Sequence, residues 1–351
     1  MNTVAVDANP AARAVQTGTE IFAREVSRRL PDQAPELHFV FYTSRPGEDV
    51  GIDFTVLPGR RMWSQLRLPR ELWRHRPQLF FAPSHVVPFL TPGLALTVVH
   101  DLAFERYPAA YSLGAREYLK STTRWAERRC PRLITVSRAT ADDLVRLHGV
   151  PRQRLTVVPL GGGEPPGCSM SAEAAHRRLL ELQIDRPFVL HVGRVEARKN
   201  QVTTLRAVER LPDLVLVCAG PVTDARMAGQ LQSPRCRLLG LVSDADLEAL
   251  YSTAEALVFP SLYEGFGLPI LEAMRRGVPV VTAAVSSLPE VGGDAVVYVD
   301  DPRDAEALSG AIDRALRDRA RRRDLGFAQA AKFTWDRTAA GVASVIRELL
   351  S

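Results

Sequence analysis

Short apolar runs alternate with stretches of helical period along nearly the whole chain. In the first half the runs fall at 4–6, 37–42, 79–82, 96–99, 133–136 and 155–158. They are near-continuous rather than alternating, as strands buried on both faces read. Between them, 19–30 and 112–129 have helical spacing. After Pro159 the stretch Leu160-Gly161-Gly162-Gly163-Glu164-Pro165-Pro166-Gly167 is the densest in glycine and proline, and predicts a linker. The alternation then restarts, with strands at 188–192, 214–218, 237–239, 256–259 and 279–282 and helices at 304–318 and 337–350. Strand–helix alternation of this kind predicts an α/β chain of two Rossmann-like, doubly wound domains in tandem. Ligands of such sheets bind beyond the carboxyl ends of the strands, so the turns after the strands are where chemistry is sought.

The turn after 256–259 reads Tyr263-Glu264-Gly265-Phe266-Gly267-Leu268-Pro269-Ile270-Leu271-Glu272. Pro269 suits the first turn of a helix, where no backbone N–H is needed. Gly265 and Gly267 open the backbone just before it. Free N–H groups and the positive end of the helix dipole then make an anion site. Glu264 lies in the turn and Glu272 in the helix; a carboxylate accepts paired sugar hydroxyls well. The plain structural alternative is a helix with a glutamate placed for its dipole. The turn after 188–192 carries Gly193-Arg194 and then Arg198-Lys199-Asn200. Arg194 and Lys199 are suited to neutralise a diphosphate, the arginine with two parallel donors. A solvated basic loop is the alternative.

In the first half, His100-Asp101 follows the 96–99 strand, and Asp101 is also a candidate cap. Gln16-Thr17-Gly18-Thr19-Glu20 opens the first helix, with Gly18 allowing close approach of a ligand. Ser84 and Ser137 each follow a strand, and are equally suited to turn or cap chemistry. Glu290 is a weaker candidate. The run 60–76 is basic with interleaved Trp63, Leu66, Leu68, Leu72 and Trp73. It is a candidate for peripheral contact with an anionic membrane, although Pro69 is expected to interrupt any continuous helix there.

Composition narrows the class. The 351 residues suit two domains, and 46% hydrophobic with 24% charged residues is ordinary for a water-exposed globular chain. A net charge of +5 is too small a bias to argue for nucleic acid. No apolar run reaches membrane-spanning length, and the chain opens on a strand rather than a signal region. Cys130, Cys168, Cys218 and Cys236 lack CxxC spacing, which points to a reducing, cytoplasmic setting without disulfide or zinc framework. Asp244-Ala245-Asp246 formally matches a metal-binding Asp-x-Asp, but after Ser243 it reads as an acidic helix start, so no metal is expected. There is no Gly-x-Gly-x-x-Gly after the first strand, no P-loop and no His-Glu-x-x-His.

Taken together, Gly193-Arg194, Lys199-Asn200, Glu264 to Pro269 and Glu272-Ala273 resemble the retaining glycosyltransferases of family four. Gly277-Val278-Pro279-Val280-Val281, Leu288-Pro289-Glu290-Val291-Gly292, His100-Asp101-Leu102 and Thr135-Val136-Ser137 add to the likeness, which covers nearly the whole chain. The resemblance implies the GT-B fold, two such domains facing an interdomain cleft. It implies a domain at 1–163 on the acceptor side, a nucleotide-sugar domain at 164–334, and a final helix at 335–351 packing back on the first. It implies that Arg194 and Lys199, beside Gly193, hold the donor diphosphate. Glu272 would bind the ribose, Glu264 the donor sugar, and the backbone of Gly265, Phe266, Gly267 and Leu268 both sugar and phosphate. His100 would lie beside the reacting sugar, and Gly18 near a phosphate or the acceptor, in a loop with one glycine where the family commonly has two. The donor would be a nucleotide diphosphate sugar, without further cofactor, and the acceptor a hydroxyl of a glycan, lipid-linked sugar or small molecule. The segment His100 to Phe104 is similar to bacterial mannosyltransferases, which implies GDP-mannose; a UDP-hexose is the alternative donor. A non-catalytic sugar-nucleotide-binding protein is the other-class alternative, and it would be expected to lack one of Arg194, Lys199, Glu264 or Glu272.

Overall fold

The computed structural model describes residues 1–13, 17–46, 51–59, 62–162 and 170–351. The chain divides into two units, Met1–Gly161 with Thr334–Ser351, and Gly162–Phe333. Most of the glycine- and proline-rich stretch expected to link domains lies outside the described residues.

The first unit holds β1 (Thr3–Asp7), β2 (His38–Thr43), β3 (Phe54–Val56), β4 (Leu79–Ala82), β5 (Leu94–Val99), β6 (Arg132–Thr135) and β7 (Leu155–Val157). Their order is β3-β2-β1-β4-β5-β6-β7, and every pairing is parallel. Val4, Val6, Phe80, Phe81, Leu96, Val98, Leu133 and Ile134 are fully buried. Helices cover both faces, which is why these strands read as unbroken apolar runs. Short β3 leaves no apolar run in the sequence, because two of its three residues are exposed at the sheet edge.

The second unit holds β8 (Phe188–Val192), β9 (Val215–Ala219), β10 (Cys236–Gly240), β11 (Ala256–Phe259), β12 (Val280–Ala283) and β13 (Val297–Val299). Their order is β10-β9-β8-β11-β12-β13, again all parallel. Edge strand β13, only three residues long, is likewise an addition to the strands expected. In both sheets the order reverses once, between β1 and β4 and between β8 and β11. There the neighbouring helices diverge to opposite faces and leave a crevice, so the turns after these strands are the natural ligand positions.

One local feature departs from the expectation. Pro69 does not break the basic segment. A π-turn, Trp63–Arg67, runs directly into the helix Leu68–His75, with Pro69 in its first turn. At that position a missing N–H removes no intrahelical bond. Residues 60 and 61 of the run lie outside the described residues. Among the described residues no helix is long and apolar enough to cross a membrane.

The last helix, Trp335–Leu350, belongs to the first unit and packs along the helix Gly18–Gln33. It buries Trp335, Ala339, Val342, Ala343 and Ile346, and the helix Gly18–Gln33 buries Phe22, Ala23, Val26 and Leu30. Asp336 pairs with Arg29 at 3.0 Å and Arg347 with Glu36 at 2.6 Å. Both pairs reach the surface and contribute little; the buried apolar side chains supply most of the stabilisation. Ile346→Ala should therefore destabilise this unit by about 3 kcal/mol through the cavity it leaves. Urea unfolding would check this, and an unchanged midpoint would mean the helix is dispensable.

Candidate functional site

At the switch point of the second sheet, two turns are stitched together by the residues that open the helix Gln201–Val208. The Asn200 amide donates to Pro260 O at 3.2 Å and Pro302 O at 2.5 Å, so it holds the end of β11. Leu262 N–H donates to Arg198 O at 2.9 Å. Gly193 has φ +145, and its N–H bonds Ala219 O at 2.9 Å. A Cβ on Gly220 would stand 2.2 Å from Gly193 O, so only glycine lets these two turns approach.

Lys199 and Glu264 meet in this turn, Nζ to Oε1 at 2.6 Å, with both side chains largely buried. Arg198 completes the group. Its Nη1 lies 3.1 Å from Glu264 Oε2 and donates to Tyr263 O at 2.6 Å, while Nη2 reaches Glu196 at 2.7 Å. Lys199 also stands 5.0 Å over the Phe259 ring. Burial opposes ionisation of Glu264, but Lys199 and Arg198 outweigh it and hold its pKa down to about 2. Burial pushes Lys199 down too, against the pull of Glu264. The two partners thus shift in the same downward direction for different reasons: the carboxylate gains from two cations, whereas the ammonium is desolvated, with Arg198 as a further repelling neighbour. Beneath them His191 is fully buried, and desolvation followed by Lys199 drives its pKa to about 3, so it is neutral.

Gly267, at φ +118, precedes the helix Leu268–Arg275, and Pro269 sits in its first turn. The apolar half of this turn is anchored: Phe266 packs edge-on against Phe333 at 5.9 Å, and Ile270 and Leu271 are fully buried. The backbone is clamped from the turn after β12. Ser287 Oγ bonds Glu264 O at 3.0 Å and Phe266 O at 2.7 Å, and Ser286 Oγ also donates to Glu264 O. Gly265 lies within the clamped segment. Glu272, in the same helix, accepts a 2.6 Å hydrogen bond from the Tyr251 hydroxyl, and burial raises its pKa. Arg194 stays exposed on the same turn as Gly193, and no ion pair holds it among the described residues.

In the first unit His100 follows β5 and is buried, with Nε2 2.8 Å from Pro83 O and its ring edge-on to Phe22 at 5.1 Å. A carbonyl partner requires the proton on Nε2. Burial lowers the His100 pKa, so the neutral ring keeps Nδ1 as an acceptor. Asp101 Oδ1 takes the Ala103 N–H at 2.9 Å, the capping alternative. Gly18 is the first residue of its helix, where Glu20 returns to Thr17 N–H at 3.0 Å and pairs with Arg13 at 2.8 Å. Ser137 caps the helix Arg138–His148, accepting from Thr140 N–H at 3.1 Å, and Ser84 O accepts from Thr97 at 2.7 Å. Asp246 of the Asp-x-Asp closes a capping box with Ser243 and pairs with Arg178 at 2.6 Å. Glu290 lies in the short helix Leu288–Gly292.

The structure thus gathers Lys199, Glu264 and the Gly265–Leu268 segment, with Glu272 further along the same helix. His100 and Gly18 stand at strand and helix ends of the other unit. Sequence reasoning passes over Arg198, although it adjoins Lys199 in the same basic string. It has no local signal for Tyr251, Ser286 or Ser287, which reach the site from distant segments.

Residues 17–161 match the family described as Glycosyltransferase Family 4, and residues 173–332 that described as Glycosyl transferases group 1. The chain is 32% identical to O-antigen chain mannosyltransferase B of Escherichia coli, over 80% of this chain and 74% of that one. It is 30% identical to the serotype-specific mannosyltransferase WbdA of Escherichia coli over 73% of its length, but spans only 33% of that protein. Among solved structures, sucrose-phosphate synthase from Thermosynechococcus elongatus superposes with a TM-score of 0.79 at 22% identity, covering 100% of this chain and 99% of that one. The two parallel-sheet α/β units are those of the GT-B fold.

Glu264 has a folded pKa below its ordinary 4.5, so its contribution to stability is present above pH 4.5 and is lost as pH falls toward about 2. The stability difference between the native chain and Glu264→Gln should grow from pH 2 to about 4.5 and then level off. Denaturant titrations across that range would check it; a difference independent of pH would mean the carboxylate is not held by its two cations.

Proposed function

The chain belongs to glycosyltransferase family 4, and from that premise we propose that it transfers a hexose from a nucleotide diphosphate sugar to an acceptor hydroxyl with retention at the anomeric carbon. Mannose is the sugar we favour, supported by the two mannosyltransferase relatives, and GDP is the carrier we propose for it. The acceptor is a hydroxyl of a glycan, a lipid-linked sugar or a small molecule.

The observation that carries this reading is the buried Lys199–Glu264 pair beside the Gly265–Leu268 segment, at the switch point of the second sheet. When the bond from the anomeric carbon to the diphosphate breaks, negative charge grows on the leaving phosphate. A cation already fixed in a desolvated turn stabilises that charge without reorganising. Lys199 takes this part, with Arg194 and the helix N-terminus adding donors. No metal ion is required by this arrangement of charge. Glu264, held ionised, accepts sugar hydroxyls rather than delivering a proton. Glu272 receives the ribose hydroxyls, and His100, neutral with a free acceptor face, contacts the reacting sugar. Cys130, Cys218 and Cys236 form no disulfide among the described residues, which suits the cytoplasmic setting we propose, and Cys168 lies outside those residues. Lys199→Ala should lower kcat/KM roughly a hundredfold or more while the chain stays folded. Turnover near that of the native enzyme, measured with GDP-mannose and UDP-hexoses, would sink the assignment.

A membrane role for the basic segment has its own support. Leu66 and Trp73 are 67% and 50% exposed, and Trp73 Nε1 bonds Leu90 O at 3.0 Å, which brings in the exposed Phe89 and Leu90. Arg67, Arg70, Arg74 and Arg76 are exposed around them. Apolar side chains ringed by arginine suit an anionic bilayer, each arginine adding about 1 kcal/mol near the surface. Sedimentation with phosphatidylglycerol vesicles should recover the native chain, and Leu66→Ala/Trp73→Ala should stay in solution. Equal recovery of both, or none with the native chain, would remove the membrane from this reading.

A further inference from the structure

The proposed function gives Glu272 the donor ribose, and the role of its neighbour Tyr251 rests on that reading. A vicinal diol is recognised when one carboxylate presents acceptor lone pairs to both hydroxyls in its own plane. Nothing in a glutamate fixes that plane, since rotation about its last side-chain torsion is soft. The surroundings of Glu272 supply the constraint.

Tyr251 lies in the helix Asp244–Thr253 and is fully buried, 1% exposed. Its hydroxyl donates to Glu272 Oε2 at 2.6 Å, a length found in charge-assisted bonds. Burial, and then the Glu272 charge, push the phenol well above its ordinary pKa, so it remains a donor. The ring is fixed in turn. The Arg276 guanidinium stands 5.0 Å from its centroid and is itself held by Glu248 at 2.6 and 2.8 Å. Arg276 also donates to the backbone oxygen of Glu272 at 2.9 Å, but its charge is matched by Glu248 rather than by the Glu272 carboxylate. Among the described residues, the one hydrogen bond to that carboxylate is therefore a neutral phenol on Oε2, and Oε1 accepts none. A salt bridge would compete with a ligand for both oxygens. A single phenol instead orients the group, helps keep it ionised against burial, and leaves Oε1 and the second lone pair of Oε2 for hydroxyls.

We propose that Tyr251 is a positioning residue that gives the site its preference for a ribonucleotide over a 2′-deoxyribonucleotide, by fixing the carboxylate of Glu272. A packing role would need only the ring, which Tyr251→Phe keeps beneath Arg276. A positioning role needs the hydroxyl, and its loss acts on one ligand contact alone.

The test is calorimetric titration of the full chain with GDP and 2′-deoxy-GDP, the same pair for UDP, and inorganic pyrophosphate as a control that does not reach Glu272. The native chain should bind the ribonucleotide about tenfold more tightly than its 2′-deoxy form, the worth of one hydrogen bond to a charged group. Glu272→Ala should bring that ratio to about one, and Tyr251→Phe should cut it several-fold, with pyrophosphate affinity unchanged in both. No preference in the native chain would overturn the ribose assignment of Glu272 and this proposal with it. A ratio lost in Glu272→Ala but kept in Tyr251→Phe would overturn the proposal alone. A proportional loss of all ligands in Tyr251→Phe would also overturn it, since that is the signature of packing.

Discussion

The second unit depends on a buried cluster of charge at one point of its sheet, where Lys199 and Arg198 share the carboxylate of Glu264. Such a cluster is costly to desolvate, and a well-packed apolar substitute would often be as stable. It is tolerable here because each charge in it has an opposite charge beside it. Arg198 is spread over Glu264, Glu196 and the Tyr263 carbonyl, and Lys199 adds the Phe259 ring. Breaking the cluster would leave a charge stranded in the turn, so the same residues fix the loop and prepare it electrostatically.

Everything near that cluster serves to hold it still. Asn200 joins the ends of two segments through backbone carbonyls, Ser286 and Ser287 clamp the Glu264–Phe266 backbone, and Gly193 and Gly220 let adjacent turns touch. Glycosyl transfer needs a stabilising field in place before charge develops on the leaving group. A turn anchored by hydrogen bonds to its own backbone supplies this better than a mobile basic loop would. The first unit places two imidazoles rather than a cation cluster near its strand ends. Burial lowers the pKa of His100 and pushes that of His85 down to about 4, so both imidazoles are neutral there.

How much of this is legible in the sequence depends on where each signal lies. The continuous apolar runs mark the strands because a parallel sheet must bury both faces. The turns after β8 and β11 stand out because their glycines and charges are contiguous in sequence. Gly193, Lys199, Glu264, Gly267 and Glu272 are legible for that reason. Edge strand β3 is not, since two of its three residues are exposed, and β13, although apolar, is not among the strands expected. Pro69 runs against expectation because its effect depends on whether it falls inside a helix or in its first turn.

Local pattern therefore suffices for a two-part α/β chain, for the turns that hold its candidate site residues and for the family those turns resemble, since each rests on residues close together in the chain. Which groups work as a unit is a property of the folded molecule. Folding joins Lys199 to Glu264 across 65 residues of chain, brings Arg198 to the same carboxylate, sets Ser287 against the Glu264 carbonyl and places the Tyr251 hydroxyl on Glu272. Hydrogen bonds and ion pairs act over a few ångströms of space, and separation along the chain carries no record of them.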